Sequence, residues 1–180
     1  AAFLVPALRT VTLFGMGFDS GFPLPLLAPD APLGRAYGVA KEWLVVLALL
    51  AALGFLWRRL VTRPDRITRS WEGTLILGFI AGLLLSEMAF DGAARAAAGL
   101  GFSWGAPAAS LGALALGGLA PAALHAAGLA GFWLHLVIIL LFGNFLPYGK
   151  HFHIITAPPN VYPRRLPPAG ALRKLDLESE

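Results

Sequence analysis

The stretch WLVVLALLAALGFLWRRL, Trp43 to Leu60, decides the fold. No charge interrupts it between Trp43 and Trp57. A helix that crosses a bilayer needs roughly 20 mainly apolar residues. A helix apolar on every side is buried in a large core or lies in lipid. The chain has 180 residues, 57% of them hydrophobic and 13% charged. That is too little charge for an ordinary soluble domain, so lipid is the expected surrounding. Trp43 and Trp57 stand at the ends as interfacial anchors, and Arg58 and Arg59 follow at once.

Two further stretches have the same character. TLILGFIAGLLLSEMAF covers 74–90 and GFWLHLVIILLFGNFLP covers 131–147. The opening AAFLVPALRTVTLF reads as the end of an earlier span, so the chain is expected to begin inside a hydrophobic segment. It has no basic flank before its apolar core and makes a poor signal peptide. The expected fold is therefore an all-α integral membrane bundle of about four to five transmembrane helices, the first of them truncated.

Charge sets the expected topology. RRLVTRPDRITRS, 58–70, carries five arginines. KHFHIITAPPNVYPRRLPPAGALRK follows the last span. Excess Lys and Arg marks cytoplasmic loops, so both segments face the cytoplasm and the Pro- and Gly-rich 17–38 lies outside. The interval 92–130 must then start and end outside. Its Ala/Gly-rich part, broken by Pro107 and Pro121, reads as an outer interfacial or shallow re-entrant segment. Residues 1–157 form the expected membrane domain and 158–180 a cytoplasmic Pro-rich and charged tail.

Several function classes drop out. The net charge of +4 sits in short loops and offers no basic face for nucleic acid. There is no cysteine, hence no disulfide, thiolate metal site or iron–sulfur cluster ligated by this chain. Phosphate-loop, HExxH and GxSxG patterns are missing.

The residues that carry chemistry are few. A histidine within a membrane segment is costly without a partner and is a functional candidate by default. His135 falls in the last span near its outer end. His153 follows 18 residues later, or roughly 27 Å along a continuous helix, close to a hydrocarbon thickness. Pro147 and Gly149 are expected to interrupt that helix. Two imidazoles near opposite faces suit two b-type haems in series. They equally suit a helix–helix hydrogen bond at one face and a wet histidine at the other. In HFH, one of His151 and His153 is the ligand candidate. The other meets headgroups or a haem propionate. His125 lies in the Ala/Gly segment, where it is either an interfacial residue or a ligand. Glu87, near the outer end of a span, exchanges a proton with a quinol, bonds a partner helix, or snorkels to the interface. Arg9 either pairs with a haem propionate or ends a helix.

WLHLVIILLFGNFLPYGKHFHIITAPPNVYPRR, Trp133 to Arg165, resembles a known family: the membrane cytochrome b of the respiratory nitrate reductase gamma-subunit type. It is still more similar to the version fused ahead of a heterodisulfide-reductase-like iron–sulfur domain. RTVTLFGMGF, PLLAPDAPLGRAYG and SWEGTLILGFIAGLLLSEMAF resemble earlier segments of that family in order. The resemblance implies five helices, two b haems and four histidine ligands, with His135 serving the outer haem and His153 the inner one. The two remaining ligands would come from the family's second helix. Here the opening run aligns with its end and has no histidine. Arg9–Thr10 falls near the outer ligand position, and the other position lies before Ala1. One haem or two is thus open, with His125 as a substitute ligand.

Together these readings predict a membrane electron-transfer subunit. It would bind haem b and move electrons between a membrane quinone and a cytoplasmic iron–sulfur domain or subunit, within a multi-subunit complex of a bacterial or archaeal cytoplasmic membrane. A haem-free membrane anchor is the alternative, and a transporter stands third.

Overall fold

A computed structural model describes residues 4–19, 22, 24, 26–63, 70–148 and 152–162, with backbone alone at 4 and 153–155. Among them there is no strand. The helices are α1 (Leu4–Met16), α2 (Pro32–Trp57), α3 (Trp71–Ala97), α4 (Pro107–Leu116), α5 (Pro121–Phe145) and α6 (His153–Val161). A π-helical turn, Arg58–Thr62, prolongs α2, and a 3-10 turn, Leu146–Tyr148, follows α5. The chain divides into two compact units, Ala1–Asn144 and Phe145–Glu180.

The starts of the helices are written in the sequence. Pro32, Pro107 and Pro121 each occupy the first position of a helix, where a missing N–H costs nothing and the fixed φ is already helical. For α3 the signal is Ser70, whose Oγ accepts the backbone N–H of Gly73 at 3.4 Å. At its other end Gly99 takes a left-handed φ of 63°, which glycine adopts without strain and which closes a helix.

Among the described residues three helices are long and apolar enough to cross a membrane: Pro32–Thr62, Trp71–Ala97 and Pro121–Tyr148. They contain the three expected spans. α5 begins ten residues before the start expected from the apolar run, because Pro121 opens a helix and the alanines after it favour one. α4 has ten residues, about half of what a span requires. α6 covers His153–Val161 with Pro158 and Pro159 inside it, where the composition suggests a linker from 158. The tail from 163 lies outside the described residues.

The core is made of small and branched side chains. Val45, Leu49 and Ala52 of α2 pack on Ala81 and Leu84 of α3 and on Ala108 of α4. A second cluster joins Leu13 of α1 to Phe132 and Leu136 of α5, with Met16 and Phe90 against it. Small residues let backbones approach closely, as is usual between membrane helices. A Cβ on Gly92 would lie 2.5 Å from the carbonyl carbon of Gly112, so α3 and α4 touch backbone to backbone there. Leu47, Leu50 and Leu53 of α2 and Leu134, Val137 and Leu141 of α5 are exposed, which suits a surface facing acyl chains.

Gly92→Leu should therefore force α4 away from α3. The expected loss is about 1–3 kcal/mol, read from the thermal unfolding midpoint in detergent. Gly78→Ala, at a position with nothing within 4 Å of the new Cβ, should leave the midpoint unchanged or raise it slightly.

Candidate functional site

The most unusual feature of the first unit is a group of ionisable side chains inside an apolar bundle. α1 contributes Arg9, α2 contributes Lys41 and Glu42, and α3 contributes Glu87 and Asp91. Glu87 and Asp91 are four residues apart and so lie on one face of their helix. Asp91 is the hub: its Oδ1 accepts from Arg9 Nη2 at 2.5 Å and its Oδ2 from Lys41 Nζ at 2.6 Å. Lys41 Nζ also lies 2.8 Å from Glu42 Oε1 and 3.2 Å from Glu87 Oε1. Arg9 Nε is 3.3 Å from Glu87 Oε1. That pair is close enough to attract but not aligned, and neither atom has a hydrogen-bond partner among the described residues.

The Lys41 and Glu87 side chains are 9% and 5% exposed, and Asp91 20%. Charges so far from water persist only when paired. Here two cations face three carboxylates. Glu42 also caps a helix, since its Oε2 accepts the backbone N–H of Ala109 at 2.8 Å. It thereby satisfies one of the unpaired donors in the first turn of α4 and places negative charge at the positive end of the helix dipole.

The network forms one wall of a cavity of about 490 Å³. Arg9, Tyr37, Lys41 and Asp91 supply its polar side, and Met16, Phe22 and Leu27 an apolar one. The Tyr37 hydroxyl donates to the Val5 carbonyl at 3.0 Å and so ties α2 to α1.

His135 sits one helix away. It is buried on α5, with Nδ1 3.1 Å from the Leu83 carbonyl and 3.3 Å from Ser86 Oγ, both on α3. Gly131, one turn earlier, makes this closeness possible: a Cβ there would lie 2.8 Å from the Ser86 carbonyl oxygen. A carbonyl only accepts, so a hydrogen bond to Leu83 places the proton on Nδ1 and leaves the Nε2 lone pair available. Metal-bound histidines are held in this way by a backbone carbonyl. In that tautomer Nε2 could accept a hydrogen bond or hold a metal ion.

A second ligand is a different matter. His125 lies ten residues earlier on the same helix, or roughly 15 Å along the axis, too far to share one iron with His135. It is exposed, beside a cavity of about 290 Å³ lined by Phe90, Ala94, Leu124 and Gly128. Among the described residues no group of three or more His, Asp or Glu is placed to hold a metal ion. His151 lies outside the described residues, as does the side chain of His153, whose backbone opens α6.

The structure thus brings together Arg9 and Glu87, which the sequence singles out separately, and sets His135 beside the same turn of α3. For Arg9 the sequence suggests a haem propionate as one partner; the partners seen are two carboxylates of the chain itself. Lys41, Glu42 and Asp91 escape the sequence reading. The four-residue spacing from Glu87 is a local signal that points to Asp91; Lys41 and Glu42 have none.

The described residues are all helical or loop, with three helices able to cross a membrane and a paired charge cluster joining α1, α2 and α3, as in an integral membrane protein with an internal polar site. The chain is similar to the probable iron–sulfur-binding oxidoreductase FadF of Bacillus subtilis (strain 168), with 32% identity over 149 residues, 83% of this chain. The match is to 21% of that relative, so the chain spans about one fifth of its length. No family model matches the chain, and no solved structure matches it.

Proposed function

We propose that this chain is the membrane part of a quinone-linked electron-transfer system, exchanging electrons between a membrane quinone and an iron–sulfur domain or subunit through haem b. The observation that carries the reading is the cavity walled by Arg9, Lys41 and Asp91, with buried Glu87 behind them and His135 of α5 packed against the α3 turn that carries Glu87. The similarity to a probable iron–sulfur-binding oxidoreductase supports an iron–sulfur partner.

The chemistry of the cavity suits a quinone better than an anion. Its cations are already matched by carboxylates, so a neutral headgroup enters without adding unpaired charge. A quinone carbonyl accepts from Lys41 or Arg9, and a quinol hydroxyl donates to Asp91. Met16, Phe22 and Leu27 cover the ring. Asp91, the most exposed of the network's carboxylates, takes or gives the proton first, and Glu87 holds charge or proton behind it. When bound, haem supplies one-electron transfer. His135 fits as its outer ligand, and His153 is the inner-ligand candidate with His151 its neighbour. His125 is kept for the interface.

In this reading α1 is the end of a further span, α4 stays on the outer side, the arginine-rich 58–70 faces the cytoplasm, and so does the tail. A bacterial or archaeal cytoplasmic membrane is the expected site. The second reading, a haem-free anchor subunit, is favoured by one observation: no second histidine faces His135 among the described residues. A reduced-minus-oxidised optical spectrum of the purified protein separates the two. A b-type alpha band is the expected result. Its absence after expression with haem supplied would leave the anchor.

A further inference from the structure

The basic end of α2 meets the start of α3 in a feature the electron-transfer reading does not use. Here α2 widens into the π-helical turn Arg58–Thr62, and Arg63 follows with a left-handed φ of 46°. Such turns are rare and are often found at functional sites. The Arg59 guanidinium lies flat across the first turn of α3. Its Nε donates to Thr74 Oγ at 2.8 Å and its Nη2 donates to the Ser70 carbonyl. Gly73 gives it room, since a Cβ there would come 3.1 Å from the guanidinium carbon.

Arg59, Leu60, Arg63, Ser70, Trp71 and Thr74 line a cavity of about 280 Å³. Its lining includes the guanidinium groups of Arg59 and Arg63, both already engaged, Arg63 through an Nε hydrogen bond to the Leu60 carbonyl at 2.7 Å, together with two hydroxyls and the apolar Leu60 and Trp71. Trp57 and Trp71 are 63% and 70% exposed, as interfacial tryptophans at headgroup depth are. Leu53, Trp57 and Leu60 fall on one face of α2 and are all exposed. They form an apolar stripe leading from the cavity toward the middle of the span.

We propose that this cavity binds the phosphate of an anionic phospholipid of the phosphatidylglycerol type, with an acyl chain along the Leu53–Trp57–Leu60 stripe. A phosphate diester accepts charge-assisted hydrogen bonds from guanidinium groups and ordinary ones from hydroxyls. A zwitterionic headgroup would instead bring an ammonium toward Arg58, Arg59 and Arg63. Free phosphate has the same anionic chemistry but makes no use of the apolar stripe, which is why the lipid is the source chosen. Basic clefts between membrane helices are general headgroup sites.

The proposal is tested by native mass spectrometry of the whole chain in mild detergent, with phosphatidylglycerol and phosphatidylcholine supplied in equal amounts. One phosphatidylglycerol should stay bound per chain in preference to phosphatidylcholine. Arg63→Asn, in which asparagine tolerates the left-handed backbone, should lower retention about fivefold, the effect of one arginine near an anionic headgroup. Arg35→Gln, at the opposite end of α2, should leave it unchanged, and circular dichroism should show the same helix content in both variants. Arg59→Lys, which keeps the charge and loses the fork, should also weaken binding. Equal retention of the two lipids, or full retention by both Arg63→Asn and Arg59→Lys, would overturn the site. Release of the lipid by millimolar inorganic phosphate would overturn the lipid as its occupant.

Discussion

Asp91→Ala should unfold the bundle at a markedly lower temperature than the parent chain, with a loss of about 3–5 kcal/mol. The carboxylate is the shared partner of two cations that come from different helices, Arg9 of α1 and Lys41 of α2. Its removal leaves both next to Glu87 Oε1, which reaches them at 3.3 and 3.2 Å without an aligned hydrogen bond to Arg9. Breaking one member of a buried ionic group is costly because the charges left behind have given up water and lost their compensation. The same substitution at Asp30, exposed in the loop before α2, should change stability by no more than about 0.5 kcal/mol. A double variant, Lys41→Met with Asp91→Ala, removes one of the stranded cations along with the hub. It should lose less than the sum of the two single variants, by about 0.5–3 kcal/mol. Thermal unfolding of the parent and the four variants in one detergent measures this. If Asp91→Ala behaves like Asp30→Ala, the network does not hold α1 and α2 to α3.

The spans are legible in the sequence because lipid imposes a simple rule: about 20 apolar residues in a row. Trp43–Leu60, 74–90 and 131–147 satisfy it, and each lies within a helix able to cross. The rule reads the ends less well. Lys41 and Glu42 stand just before Trp43, and Asp91 just after Phe90, so they look like the polar borders of their spans. In the structure α2 begins at Pro32 and α3 runs on to Ala97, which puts all three charges well inside their helices. Whether a charge at the edge of an apolar run meets water or another helix depends on what packs there, and that is a tertiary property. The start of α5 hides for a related reason. Residues 121–130 hold five alanines, two leucines and one each of proline, histidine and glycine, a composition that fits an irregular interfacial segment as well as a tightly packed helix. Gly131 against the Ser86 carbonyl oxygen shows what such residues are for. His135 needs no such context to stand out, because an imidazole within an apolar run is conspicuous in any reading.

His135→Ala should remove at least one b-type haem contribution from the optical spectrum of the purified protein, while His125→Ala leaves the spectrum intact. The asymmetry follows from where the two side chains sit. His135 is buried, and a hydrogen bond to the Leu83 carbonyl would leave Nε2 free to bind iron. His125 is exposed on the same helix, and nothing fixes its tautomer in this way. If His135 holds haem, its loss would remove one ligand to the iron and with it the b-type band. The expected change is therefore loss or a large broadening of the alpha band. At the other end of the segment, His153→Ala should remove a contribution and His151→Ala should not. If His135→Ala and His153→Ala each remove a different part of the band, two haems lie in series. If only one does, that histidine ligates the one haem present. Persistence of the whole band in His135→Ala, with the helix content of the parent chain, would reduce His135 to a helix–helix hydrogen bond between α5 and α3. The charge network would then have to be understood without haem beside it.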